Sequence, residues 1–188
     1  TMLCPNSKKA ILRSCGAGIA AADDLMNKNE RVFCAIRPPG HHAETAKAMG
    51  FCFVNNIAVT AKYLQNKYKV NKIAIIDFDV HHGNGTQEIF YNDETVLYAS
   101  SHEFPLFPGT GSEQETGVGN IFNAPLKTGM KGKEFLKIFD QKILRPINNY
   151  KPEIILISAG FDAHTRDPLA NINLESQDFY EITKQIVD

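Results

Sequence analysis

Two short apolar runs constrain this chain most. "IAII" (Ile73 to Ile76) and "IILI" (Ile154 to Ile157) carry no polar interruption, and helix-patterned segments lie between them. A strand that is apolar at every position is buried on both faces, and such strands belong to parallel sheets covered by helices on each side. The remaining pattern agrees. "RVFCAI" (Arg31 to Ile36) reads as a buried strand, "KIAIIDF" (Lys72 to Phe78) as a central one, and "TVLYASS" (Thr95 to Ser101), "NIFNAP" (Asn120 to Pro125) and "EIILISAG" (Glu153 to Gly160) as three more. Helices are predicted over Ser7 to Asn29, Asn55 to Lys69 with an asparagine cap, Thr86 to Tyr91, Lys131 to Tyr150 with Pro146 near its end, and Glu175 to Asp188. Arg37 to Gly50 and Glu103 to Gly119, rich in glycine and proline, are loops. Strands alternating with helices give an α/β fold with a mostly parallel sheet flanked by helices.

Length and composition fit one domain spanning residues 1–188, since 43% hydrophobic and 22% charged residues are ordinary for a globular unit of this size. A formal net charge of -1 gives no global attraction to nucleic acid or to an anionic membrane, and the lysine clusters are short. No apolar run approaches the roughly 20 residues of a membrane span. The four cysteines (Cys4, Cys15, Cys34, Cys52) are scattered without CxxC spacing, so free thiols in a reducing compartment are expected: cytoplasmic, or nuclear in a eukaryote. The start on Thr1 and the finish on Val187-Asp188, inside a helical pattern, suggest a piece of something longer.

Ligands of open α/β sheets bind beyond the carboxyl ends of the strands. His41-His42, Asp77 to His82, Ser100-Ser101-His102 and Asp162 to Asp167 all follow predicted strands. One histidine in a loop is usually just a loop residue, and one such aspartate is commonly a helix cap. Carboxylates behind an apolar strand, however, are costly to bury unless paired or metal-bound. Side chains alternate along an extended segment, so Asp77, Asp79 and His81 point one way while Phe78 and Val80 enter the opposite layer. Asp79 and His81 can then share one ion, with Asp77 behind them. Asp162 in "SAGFDAH" is placed to supply a third ligand, and two aspartates with one histidine leave a position on zinc open. His41 and His42 suit proton transfer instead. His82 should be buried and hydrogen-bonded, His102 receives no role, His164 and Arg166 are expected near the mouth of the site, and Asp167 before Pro168 reads as a turn residue.

Five ordered motifs, "RPPGHHA" (Arg37 to Ala43), "GFCFVNN" (Gly50 to Asn56), "DFDVHHGNGTQ" (Asp77 to Gln87), "FPGTG" (Phe107 to Gly111) and "SAGFDAHTRDPL" (Ser158 to Leu169), resemble the zinc-dependent histone deacetylase family. Asn84 and "RPPGHHA" resemble its class II and bacterial branches, which include acetylpolyamine amidohydrolases. The resemblance implies an arginase-deacetylase type fold and removal of acetyl or acyl groups from protein lysines or small amines. It implies Zn2+ on Asp79, His81 and Asp162, catalysis by His41 and His42, and support of those two by Asp77 and Asn84. Asp77, Asp79, His81, Ser100 and Ser101 would hold K+, while Gly50, Phe51 and Phe107 would line the substrate channel. The family's transition-state tyrosine lies downstream of "SAGFDAH" in a context that none of Tyr63, Tyr68, Tyr91, Tyr98, Tyr150 or Tyr180 matches. The chain is therefore expected to be the central part of such a domain, truncated at both ends. The alternative is a metal-containing module that binds without turnover; arginase-like ureohydrolysis, which needs more carboxylates for two manganese ions, is the weaker third.

Overall fold

The computed structural model describes residues 3–187. Four parallel strands form its sheet in the order β3-β2-β1-β4: β1 (Ile73–Asp77), β2 (Val96–Glu103), β3 (Ile121–Leu126) and β4 (Ile154–Ser158). Every residue of β1 is buried, as its apolar run requires, and so is every residue of β2; the second apolar run, in β4, is only half-buried because it lies at the edge of the sheet. Helices cover both faces. Ile73 and Ile75 pack with Tyr98 and Ile121 against Ala22 of α1 (Ser7–Lys28) and Ala58, Ala61 and Leu64 of α2 (Asn56–Tyr68). Ala74 and Ile76 pack with Leu97 and Ala99 against Phe135 and Phe139 of α4 (Gly132–Phe139), Ile147 of α5 (Arg145–Tyr150), and Phe179 and Ile182 of α6 (Ser176–Val187). A short α3 (Asn84–Phe90) follows β1.

The Asn55 side chain caps α2, accepting from the Ala58 N–H at 3.1 Å. Asn29 ends α1 in the left-handed conformation, its N–H donating to the Leu25 carbonyl at 3.0 Å. Phe78 and Val80 do enter the layer opposite to Asp77's face, among the residues packed on α4 to α6. The last helix is described as far as Val187; the predicted end at Asp188 lies outside the described residues.

Two expectations are corrected. Arg31 to Ile36 is not a buried strand: it pairs with no strand among the described residues, and Val32 and Phe33 are exposed. An apolar run makes a strand only where a neighbour accepts its hydrogen bonds, and none of the described residues supplies one here. The helix predicted over Lys131 to Tyr150 is interrupted by a π-helical turn, Asp140–Leu144. Pro146, placed near the helix end by the sequence, instead sits at the start of α5. Its ring would collide with the carbonyl four residues back in a regular helix, and the wider turn just before it accommodates that ring.

Candidate metal centre and histidine pair

The site is assembled where β1 stops. Beyond Asp77 the backbone bends instead of continuing extended, because each acidic side chain turns back on the chain: Asp77 Oδ1 accepts from the Asp79 N–H at 3.2 Å and Asp79 Oδ1 from the His81 N–H at 2.9 Å. Asp162, in the loop after β4, is drawn in by accepting the Val80 N–H at 2.9 Å. The ligand atoms of Asp79, His81 and Asp162 consequently lie within 4.8 Å of one another. His81 Nδ1 faces two acceptors, Asp79 Oδ1 at 3.1 Å and Asp162 Oδ2 at 2.9 Å. Those two bonds to Asp162 and Asp79 raise the imidazole to about 10. Burial opposes ionisation of Asp79, yet the charge on His41 and the bonds from His81 outweigh it and lower its carboxyl. The cluster thus aims two carboxylate oxygens at one nitrogen. Two carboxylates and one imidazole with this convergence fit a divalent metal ion.

The loop Arg37 to Gly50 delivers the histidine pair, whose ring centroids are 4.0 Å apart. Buried His41 bonds through Nδ1 to Asp77 Oδ2 at 3.0 Å, and its Nε2 lies 3.9 Å from Asp79 Oδ2. Burial works against its charge, but Asp77, Asp79 and Asp162 together raise it to about 9. His42 Nδ1 bonds instead to Asn84 Oδ1 at 2.9 Å. Burial and the neighbouring charge of His41 push His42 down to about 4. Two glycines permit this crowding. A Cβ on Gly50, itself at φ +52°, would stand 2.2 Å from His42 Cδ2, and one on Gly83 would stand 2.3 Å from Asp77 Oδ2.

The channel residues divide. Phe107 lies edge-on to His42, with centroids 5.1 Å apart, and to His81 at 6.3 Å. Phe51, at φ +63°, is 73% exposed. Ser100 is level with Asp77 in the sheet, but its hydroxyl is shared with His102 Nδ1 at 2.9 Å; the buried Ser101 hydroxyl has no partner among the described residues. His164 is not free at the mouth: Nε2 meets Ser176 Oγ at 3.3 Å and its ring stacks on Phe179. Arg166 is exposed, and Asp167 accepts the Leu169 N–H as a turn residue does.

Several contributors escape a reading by motif. Beside His82, which is buried and hydrogen-bonded as expected (Thr110 Oγ1 at 2.7 Å, Gln87 Oε1 at 3.0 Å), His102, given no role from sequence, donates through Nε2 to the Gly111 carbonyl at 2.8 Å. Together they pin the loop that carries Phe107. The Tyr98 hydroxyl donates to Asp77 Oδ2 at 3.1 Å, a contact hidden behind its strand pattern. Glu44 accepts from Asn84 Nδ2 at 2.6 Å, and nothing in a loop glutamate signals that.

A parallel α/β sheet with a candidate metal-binding Asp-His-Asp cluster and a buried histidine pair beyond its strand ends is the arrangement of the arginase-deacetylase fold. Residues 1–188 match the histone deacetylase domain family throughout, and the chain belongs to that family. It is 39% identical to the uncharacterized protein slr0245 of Synechocystis, over 100% of this chain and 62% of the relative, and 42% identical to the "Probable deacetylase" of Archaeoglobus fulgidus, over 94% and 50%. The crystal structure of the HDA15 HD domain superimposes with a TM-score of 0.91 at 36% identity, covering 96% of this chain and 55% of that one. The chain therefore spans between half and two thirds of these relatives. No helix among the described residues is long and apolar enough to cross a membrane.

Proposed function

We propose that this chain carries the metal and proton-transfer part of a zinc-dependent amidohydrolase that releases acyl groups from lysine side chains or small acylated amines. The carrying observation is the open Asp79, His81 and Asp162 cluster beside a histidine pair of opposite protonation preference. Zn2+ on those three residues would polarise the amide carbonyl and favour deprotonation of water. His42 is the neutral member and takes the proton from the attacking water; it then returns that proton to the amine nitrogen as the C–N bond breaks. His41, held charged by Asp77 and Asp79, faces the negative charge that develops on the substrate oxygen. Phe107, with Phe51 and Gly50 on the opposite loop, encloses the aliphatic stem of the acylated amine. K+ would be held by Asp77, Asp79, His81, Ser100 and Ser101, the last through its backbone carbonyl; Ser100 standing level with Asp77 in the sheet supports this reading. Asn84 and "RPPGHHA" favour the class II-like and bacterial branch. The partner is an acylated protein or small amine, handled in the cytoplasm or nucleus without direct nucleic-acid contact.

A second reading, a metal-containing module that binds an acylated ligand without turnover, has its own observation. Four tyrosine hydroxyls are committed away from a substrate: Tyr63 and Tyr68 to Asp23, Tyr98 to Asp77 and Tyr150 to the Glu94 carbonyl. One experiment separates the readings. The purified chain should hold one zinc and lose it in Asp79→Ala and His81→Ala, and the full-length parent should hydrolyse an acetyl-lysine peptide in a His42-dependent manner. Zinc retained in both variants sinks the metal assignment; zinc and peptide binding without hydrolysis selects the module.

A further inference from the structure

We infer that Glu44 is a positioning residue which, through Asn84, fixes His42 with its hydrogen on Nδ1 and its lone pair on Nε2. The inference rests on the proton-transfer role proposed for His42, and its logic is one of donors and acceptors. An ionised carboxylate can only accept. Glu44 Oε1 lies 2.6 Å from Asn84 Nδ2, so the amide must present its NH2 group to Glu44 and its oxygen to His42. An amide oxygen also only accepts, and His42 Nδ1 lies 2.9 Å from it, so Nδ1 must donate. In a neutral imidazole that leaves Nε2 with the lone pair, the form a general base requires.

Without Glu44 the amide has no strong reason to keep this orientation. The remaining acceptor near Asn84 Nδ2 is the Met49 thioether at 3.3 Å, a weak one. A rotated amide would offer NH2 to His42 and select the opposite tautomer. The loop bearing Glu44 is correspondingly fixed. The Glu44 N–H donates to the Lys47 carbonyl at 3.0 Å, and Thr45 donates through N and Oγ1 to Glu88 Oε2 at 3.0 and 2.8 Å. Glu88 stands one turn along α3 from Asn84, so one helix holds both the amide and the loop whose carboxylate orients it. Asp77 gives His41 a carboxylate directly, and with it a charge. Glu44 acts one amide away and gives His42 an orientation.

The test uses the 15N-histidine-labelled chain at pH 8, where nitrogen shifts distinguish an N–H from a lone pair, alongside acetyl-lysine hydrolysis by the full-length parent. The native chain should show His42 with Nδ1–H. Glu44→Gln, which can donate as well as accept, should give mixed tautomers and lower kcat about tenfold, with KM within about twofold. In an Asn84→Asp background the new carboxylate meets Nδ1 directly. Adding Glu44→Gln there should leave the His42 signature unaltered and raise kcat relative to Asn84→Asp alone, because it removes a like charge. An unchanged signature in Glu44→Gln, or the same loss of kcat in both backgrounds, overturns the inference. If the full-length parent is inactive while the Nδ1–H signature of this chain is present and gives way to mixed tautomers in Glu44→Gln, the deacetylase reading fails and the positioning role stands.

Discussion

His41 and His42 are adjacent in sequence and nearly in ring contact, yet the two sides of the crevice treat them oppositely. On the β1 side, His41 meets a fully buried carboxylate that also receives the Tyr98 hydroxyl. On the α3 side, His42 meets a neutral amide. Both rings are desolvated, so burial alone would push both down. Formal charge on the partner decides the difference: His41 rises to about 9 and His42 falls to about 4. Titratable neighbours driven apart in this way mark out acid and base roles.

The largest effect should come from erasing the charged side. Asp77→Ala leaves His41 Nδ1 and the Tyr98 hydroxyl without their shared acceptor in a site closed to solvent. Breaking a buried pair by removing one partner costs about 3–5 kcal/mol. Urea denaturation should show that loss, and NMR titration should show His41 falling toward the value of His42. A His41 that stays charged in Asp77→Ala would mean that Asp79 and Asp162, not Asp77, set the contrast.

How the two sides were read from sequence follows the same division. Asp77, Asp79, His81 and Asp162 could be grouped because they sit at the ends of apolar strands, where burial makes every carboxylate conspicuous. β1 was legible for the same reason, while the equally apolar β4 gave no sign that it would lie at the sheet edge and be only half-buried. The α3 side gave less away: Glu44 lies in a polar loop, where a glutamate is ordinary, and only tertiary folding brings it to Asn84. Likewise Tyr98 reads as a core aromatic because its hydroxyl contact lies across strands. Arg31 to Ile36 has a strand's composition and lacks a partner, and Pro146 announces a disturbance in its helix without stating its form.

A pH series with EDTA present tests the contrast with a smaller effect. The ordinary value of histidine is 6.5. Raised His41 (about 9) and His81 (about 10) bind more protons folded than unfolded between 6.5 and those values, so stability falls as pH rises through that window. Depressed His42 (about 4) and His82 (about 3) bind fewer protons folded than unfolded below 6.5, so stability falls as pH drops through that window. Tm should therefore peak near pH 6.5 and decline on both flanks. A Tm that climbs steadily from pH 6.5 to 9 would contradict the charged state of the β1 side.

The smallest effect on stability belongs to the residue that touches both sides. Phe107 packs edge-on against His42 and against His81, but it is 47% exposed and its loop is held by His82 and His102. Phe107→Ala should therefore change folding stability by only about 0.5 kcal/mol. Neither histidine depends on the ring for its proton, because His42 is set by Asn84 and His81 by Asp79 and Asp162. In the proposed channel the ring would supply apolar surface for the acyl-amine stem, and losing about 1 kcal/mol of such contact should raise KM roughly fivefold with kcat little changed. A kcat that falls while KM holds would assign Phe107 to the orientation of His42 instead, and would extend the α3 side of the crevice across to the loop after β2.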